Sequence, residues 1–189
     1  MEMDSYYTQD ELRTLGLKAY GEDVHISRKA SIYGAGNISI GSHVRIDDFV
    51  FLSGHIEIGD YVHIAPYSAL YGEKEGIFIG DFVGISSRVT IYSATDDYSG
   101  TAMTNPVIPE EFKNVQRGAV HIQKHALIGT TSVVLPGVTL REGSSFGCFS
   151  LIMKDSKEWS VNFGIPARKL YDRKKDLLKY EEDFFKEIR

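Results

Sequence analysis

The sequence contains one cysteine, Cys148, so no disulfide can form within the chain and a reducing compartment is expected. No apolar run approaches the ~18 residues that a membrane helix needs. The first residues, Met1–Asp4, are acidic and polar and do not suit a secretory signal. Positive charge is not in excess: 21 Lys and Arg stand against 26 Asp and Glu, for a net charge of -5. That balance argues against a general binder of nucleic-acid backbones. Histidine is also sparse, with six in all and none between His63 and His121. These shortages predict a cytoplasmic protein with neither nucleic-acid nor membrane partners. Bulk composition is ordinary for a folded chain, at 42% hydrophobic and 25% charged. The length of 189 residues gives room for one sizeable domain and an accessory element.

What the sequence has in abundance is a six-residue beat. Large apolar residues recur as Ile40, Ile46, Leu52, Ile58, Ile64 and Leu70. After a three-residue slip they resume at Ile79, Ile85 and Ile91, and after a longer break at Ile122, Ile128, Val134, Leu140, Phe146 and Ile152. Ile26 and Ile32 open the series. Four residues after each marker sits a small or β-branched residue, as at Val44, Val50, Val62, Ser68, Ala126 and Ser132. Glycine often follows the marker directly, as in Ile40-Gly41, Ile58-Gly59 and Ile128-Gly129. A period of six is even and suits strands, whose faces alternate every two residues, and it fits a helix poorly. Short strands joined by tight corners, three to a coil, make a triangular parallel β-helix. In that geometry Gly or Asn is expected to relieve the backbone at the corners. A β-sandwich would not hold one period for so long. Handedness does not follow from the period.

Three segments depart from the beat. Thr8 and Glu11 have capping-box spacing and predict a short helix over 8–16, within an N-terminal segment 1–23 that caps the first coil. The β-helix is expected over 24–169. Between Ile91 and Ile122 the beat stops, and a loop of about residues 93–119 must project from the coil; loops this long are usually functional. Residues 170–189 predict an amphipathic C-terminal helix. Leu177, Tyr180, Phe184 and Ile188 lie on one face, and Glu181 and Glu182 on the other.

The hexads, the projecting loop and the ending Gly164-Ile165-Pro166-Ala167-Arg168 together resemble the left-handed β-helix acyltransferases over roughly residues 24–171. In layout the chain is similar to the galactoside and maltose O-acetyltransferases and to the nucleotide-amino-sugar N-acyltransferases. The resemblance implies an all-β solenoid, a homotrimer with active sites between subunits, and acyl-CoA as cosubstrate along the C-terminal coils. Ile128 to Val138 looks like the coil that lines the thioester. This puts Gly129 and Thr130 beside the thioester carbonyl, with the Thr130 N–H as an oxyanion donor. Phe146-Gly147-Cys148 matches the segment whose backbone meets the pantetheine amides, and Lys154 and Arg168 match basic positions near the CoA phosphates. Read without the resemblance, Thr130 is a corner residue, and Lys154 and Arg168 are solvated charges.

The loop carries a departure from the O-acetyltransferase pattern. Aligning Ala94-Thr95-Asp96-Asp97 with their loop puts Asp97, or less well Asp96, where they have a catalytic histidine. A sugar hydroxyl needs a base of near-neutral pKa as it attacks, the role histidine fills. An amine is partly uncharged already, and a carboxylate can hold the ammonium, orient the amine and accept its proton. Asp96-Asp97-Tyr98-Ser99-Gly100 is similar to the loop of nucleotide-4-amino-sugar acyltransferases of surface-glycan pathways. The expected reaction is therefore N-acylation of a nucleotide-linked amino sugar, such as a dTDP-4-amino-4,6-dideoxy sugar. The competing reading of the pair is an Asx-turn opening the loop. Further acceptor-side candidates are Arg45, Asp47, Asp48, His63, Tyr67, Ser86 and Arg88, one to three coils upstream, and Tyr98 in the loop. Each alone also reads as a surface residue.

Three other functions fit the architecture. A carbonic-anhydrase-like zinc site needs three histidines on adjacent coils. His43, His55 and His63 fall at different hexad phases, and His121 and His125 are four apart on a period of six, so no metal is expected. O-acetylation would need a histidine from elsewhere, such as His63 or His121. The third is a non-catalytic scaffold that binds a sugar nucleotide or a partner protein.

Overall fold

The computed structural model describes residues 5–187; Met1–Asp4 and Ile188, both used above, lie outside the described residues. The chain winds as a three-faced solenoid, the parallel β-helix that the hexads predict. The first face has six strands and runs from Ala19–Tyr20 to Thr139–Leu140. The second has eight, starting at His25–Ile26, and the third six, starting at Ser31–Tyr33. Every described pairing between successive coils is parallel, and the register sets marker on marker. Ile40 lies beside Ile58, Ile58 beside Ile79, and Ile79 beside Ile122. Ile26 and Ile32 join the same columns, beside Ile46 and Leu52. All 15 markers from Ile40 to Ile152 are buried, as are the small residues four places on. The hydrophobic effect thus acts on a one-residue-wide interior stack, which a shift of one residue would turn outward.

The irregular stretches of sequence gather at one corner, the third, where the third face passes to the first. The short helix Ala35–Asn37, the turn around Gly72–Gly76 and the long loop all leave the coil there. The other two corners keep a fixed length, which keeps the markers in register.

Those corners correct the expectation about glycine. Most positive-φ positions at these two corners are held by large residues, among them His43, Phe49, Tyr61, Tyr67, Phe82, Arg88 and His125, with φ of 57 to 64°, while Gly143 takes one first-corner position. The glycines after the markers serve close approach instead. A Cβ on Gly41 would lie 2.6 Å from the backbone of Gly59, and one on Gly129 would lie 2.6 Å from the Cys148 nitrogen.

Helix α1 covers Gln9–Leu12, shorter than the predicted 8–16. Its capping box forms, with the Thr8 N–H donating to Glu11 Oε2 at 2.8 Å. It stops because Gly16 turns at φ 71° and leads into Ala19–Tyr20, which pairs with the Ser39–Ile40 stretch. Leu12 is fully buried and closes the open end of the core. The first rung therefore starts before residue 24. At the other end, Arg168–Asp172 is a strand antiparallel to Ser160–Phe163, not the start of the helix. The helix, α2, covers Leu177–Glu187. Tyr180, expected inward, is 74% exposed. Glu181, expected outward, faces the coil, and Phe184 and Phe185 meet Tyr61 and Phe82 edge-on.

Candidate active site

The second corner, between the second and third faces, stacks three similar tetrads: Ser86 to Val89, Gly129 to Ser132 and Gly147 to Ser150. The stacking is held by backbone bonds, Thr131 N to Ser87 O at 3.0 Å and Phe149 N to Thr130 O at 2.9 Å. The Thr130 hydroxyl donates to the Ser87 carbonyl at 2.7 Å and lies 3.0 Å from the Ser87 hydroxyl. Sequence reasoning named Ser86 and not its neighbour Ser87, which meets Thr130. Aligning the tetrads coil on coil puts Ser87 directly under Thr130, and that register was available from the repeat. Among the described residues the Thr130 N–H has no hydrogen-bond partner, so it is open to an incoming oxygen. Ser86 is spent on the coil: its N–H donates to Ile128 O, and its carbonyl accepts from Ser68.

On the C-terminal side of this corner Cys148 is exposed, and the face of Gly147 lies against the Phe163 ring, where a Cβ would collide. Lys154 and Arg168 are exposed, and neither makes an ion pair among the described residues. They are free to meet an anion.

The loop leaves after Ser93 and returns at Gly118, whose N–H donates to Ser93 O at 2.9 Å. Its base is a two-rung antiparallel ladder, Ala94 with Arg117 and Thr95 with Gln116. Asp97 is buried at its root, 4% exposed. Its Oδ1 accepts the Ser99 N–H at 2.8 Å, the Asx-turn that the sequence left as the competing reading. Its Oδ2 accepts the Thr101 hydroxyl at 2.6 Å and the Asn114 amide at 3.5 Å. The Ser99 side chain, the Thr101 hydroxyl and the Ser99 N–H hold this carboxyl far below the usual carboxylate range. These bonds favour its ionised form. Asp96 only accepts the Asn105 N–H, at 3.3 Å. Tyr98 is fully outside, at 91% exposure.

The upstream candidates split into two groups. Arg45 and His63, on the second face, are both held by the buried Asp47, at 2.6 and 2.7 Å. Burial pushes the Asp47 carboxyl up, but the His63 and Arg45 contacts outweigh it and hold the group low. Tyr67 and Arg88 stand at the second corner itself, below Thr131, while Asp48 is committed to Lys29 at 2.8 Å. Within one chain Asp97 and Thr130 are not brought together. The loop that carries Asp97 leaves the coil at the third corner, and Thr130 stands at the second. Among the described residues no histidine contacts Thr130 or Ser87. His63 is tied to Asp47, His121 is stacked on Phe78 of the first face, and His125 is buried against Glu181. Among the described residues there is no group of three or more His, Cys, Asp or Glu that could hold a metal ion.

A three-faced parallel coil with a loop from its third corner and an open N–H at its second is the layout of an acyl-transfer scaffold. No family model matches the chain. Individual proteins do. The chain is 48% identical over 183 residues, 95% of either chain, to dTDP-4-amino-4,6-dideoxy-D-glucose acyltransferase of Escherichia coli. It superposes with a TM-score of 0.97 and 45% identity on AntD, an N-acyltransferase from Bacillus cereus solved with dTDP and coenzyme A, covering 98% of this chain and 100% of that one. A galactoside acetyltransferase with coenzyme A, at TM-score 0.58 and 21% identity over 92% of this chain and 76% of that one, shares the fold alone. The chain belongs to the left-handed β-helix acyltransferase family.

Proposed function

We propose that the chain is a CoA-dependent N-acyltransferase that moves an acyl group from acyl-CoA to the amine of a nucleotide-linked amino sugar, of the dTDP-4-amino-4,6-dideoxy class, in surface-glycan biosynthesis. The observation that carries this reading is Asp97, a buried, ionised carboxylate at the loop position where the O-acetyltransferases have histidine. The names of the similar proteins support it: one acts on dTDP-4-amino-4,6-dideoxy-D-glucose, and AntD binds dTDP with 3-hydroxybutyryl-CoA. AntD was also solved with a serine substituted and with an aspartate substituted ten residues further on. Ser87 and Asp97 have the same spacing.

In this reading the amine nitrogen attacks the thioester carbonyl carbon, and the oxygen takes up negative charge facing the Thr130 N–H. The C–S bond then breaks, and the thiolate leaves and accepts the proton shed by nitrogen. Asp97, whose carboxylate is fixed by Ser99 and Thr101, orients the amine for attack. Lys154 and Arg168 face the CoA phosphates. Because Asp97 and Thr130 stand a face apart in one chain, the site closes only when a neighbouring copy lends its loop, which supports a homotrimer. The cosubstrate and the exposed Cys148 fit action in the cytoplasm.

The test is acylation by the full-length protein of dTDP-4-amino-4,6-dideoxyglucose against its 4-hydroxyl analogue. Thiol release and product mass are the readouts, across acetyl- and 3-hydroxybutyryl-CoA. Preference for the amine of about 100-fold or more is expected. Equal or better turnover of the hydroxyl compound would overturn the reading.

A further inference from the structure

Helix α2 does not lie flat on the coil. Leu177, Tyr180, Glu181 and Phe184 follow one another at helical spacing and border a cavity of about 550 Å³ between the helix and the coil. The facing wall comes from the first corner and the second face: Tyr61, Phe82, Ala126 and Leu127, with Gly84 among them. In the outward column of the second face Gly84 stands between His63 and Leu127. A Cβ there would meet only Leu127 Cδ1, so the column has a gap one side chain deep. Unlike Gly41, Gly84 is required neither by a positive φ nor by the approach of a neighbouring coil's backbone.

Three groups that can carry charge near neutral pH line this apolar space: His125, Glu181 and Arg173. His125 and Glu181 bind each other at 2.9 Å, and Glu181 also takes Lys124, so both are satisfied. Arg173 is not. Its Nη1 donates to the His125 and Gly143 carbonyls, and among the described residues it makes no ion pair and its Nε and Nη2 have no acceptor. Burial pushes this guanidinium down, with no carboxylate to hold it up. A half-buried cation ordinarily has a partner. The two carbonyls fix Nη1 and so orient the Nε–Nη2 edge, the fork that takes both oxygens of a carboxylate. A free fork beside an apolar hollow matches an anionic head on an apolar tail.

We propose that the space beneath α2 binds the free carboxylate of a short- to medium-chain acid, its oxygens on the Nε–Nη2 edge of Arg173 and its chain laid between α2 and the gap at Gly84. The volume is ordinary for a small-molecule site. A carboxylate fits better than a phosphate, because Glu181 borders the same space and a second negative charge would meet it. The site belongs to the first corner, whereas Thr130 and Cys148 belong to the second. Such acids are what hydrolysis of an acyl thioester releases, and their binding here does not depend on which acceptor is acylated.

Calorimetric titration of octanoate into the full-length protein tests the site, with 1-octanol as the tail without the charge and acetate as the charge without the tail. Trp159, the single tryptophan, locates the bound acid. It is buried, its ring lies 6.2 Å from His125, and its carbonyl accepts the Arg173 N–H at 2.8 Å. Octanoate should bind about tenfold or more tightly than either comparison and should shift Trp159 emission in step with the heat. Arg173→Met should weaken octanoate about tenfold or more. Gly84→Val fills the gap and keeps the charge; it should weaken octanoate similarly while assembly mass and CoA affinity stay as in wild type. Octanol bound as tightly as octanoate, octanoate affinity within about twofold of wild type in Gly84→Val, or displacement of octanoate by CoA would overturn the site. Binding that leaves Trp159 emission unmoved would place the acid elsewhere and overturn it too. If Arg173→Met does not fold, the octanol comparison and Gly84→Val still decide.

Discussion

The hydroxyls of Ser87 and Thr130 meet at 3.0 Å across one coil step, and the Thr130 hydroxyl is spent on the Ser87 carbonyl at 2.7 Å. The side chain of Thr130 is thus a brace, and in the proposed reaction the group left to meet the thioester is its N–H. Thr130→Val keeps the N–H and the β-branched shape. We expect kcat within about tenfold of wild type and a stability loss of about 1 kcal/mol. Thr130→Pro removes the N–H and should lower kcat about 100-fold or more, with CoA affinity retained and folding checked by thermal melt. If the proline variant is no slower than the valine variant, the N–H is not the oxyanion donor.

Asp97 makes a prediction about pH. Its carboxyl is held below the ordinary value, so the loop order it supplies is fully present above the unfolded value of ~3.9 and is lost as pH falls through the lower folded value. Asp97 therefore does not titrate between about pH 5 and 8. The kcat/KM profile there should show one rising limb, belonging to the sugar ammonium, and Asp97→Asn should lower the whole profile without moving that limb. Asp97→Asn should also leave CoA binding intact while slowing transfer to the amine about 100-fold. Turnover unchanged in this variant would remove Asp97 from the site.

Much of this was legible in the sequence because a β-helix interior is nearly one-dimensional. Each marker from Ile40 to Ile152 has one inward position, filled by a large apolar residue, and the small residue four places on is buried beside it, so the period is the fold. The corners were less legible. Gly41 and Gly129 look like turn residues, yet the turns fall two residues later, on His43 and Thr131, and the glycines answer to the neighbouring coil. Helix α2 was legible as a helix but not in its facing. The helical wheel favours Tyr180 for the core, whereas the surface it meets offers Lys124 and His125 to Glu181. Arg168–Asp172 was misread because nothing local marks a strand that turns back on the last rung. Asp97 was named for what it replaces, and its cage of Ser99, Thr101 and Asn114 depends on a chain reversal that no spacing announces.

The glycine argument separates two substitutions that sequence alone would rank together. A Cβ on Gly41 meets backbone of Gly59 at 2.6 Å, which cannot move without parting two coils. A Cβ on Gly84 meets only the Leu127 side chain, at 2.9 Å, and that leucine is 42% exposed and free to turn aside. Gly41→Ala should cost about 2 kcal/mol or more, and Gly84→Ala less than about 1 kcal/mol. Chemical denaturation of the two variants checks the order. Equal losses would mean that coil spacing does not set the glycine requirement.

Glu181 ties α2 to the coil. Its side chain is 13% exposed and accepts from His125 at 2.9 Å and from Lys124, while Arg173 at the base of the helix donates to His125 O and Gly143 O at 2.8 and 3.0 Å. Burial raises the Glu181 carboxyl, but the Lys124 and His125 contacts outweigh it and leave it below the ordinary value. A depressed carboxyl contributes stability that is present above its unfolded value of ~4.3 and lost as pH falls through the folded one. Glu181→Gln should therefore destabilise the protein by about 2 kcal/mol at neutral pH, because it removes the charge and leaves one of Lys124 and His125 facing an amide NH2 in place of an acceptor oxygen. The gap between wild type and variant should close as pH falls below about 4. Amide exchange along α2 should rise in the variant, with the coil markers still protected. A gap that persists undiminished at pH 3 would show that the helix is held by Phe184 and Phe185 and not by this carboxylate.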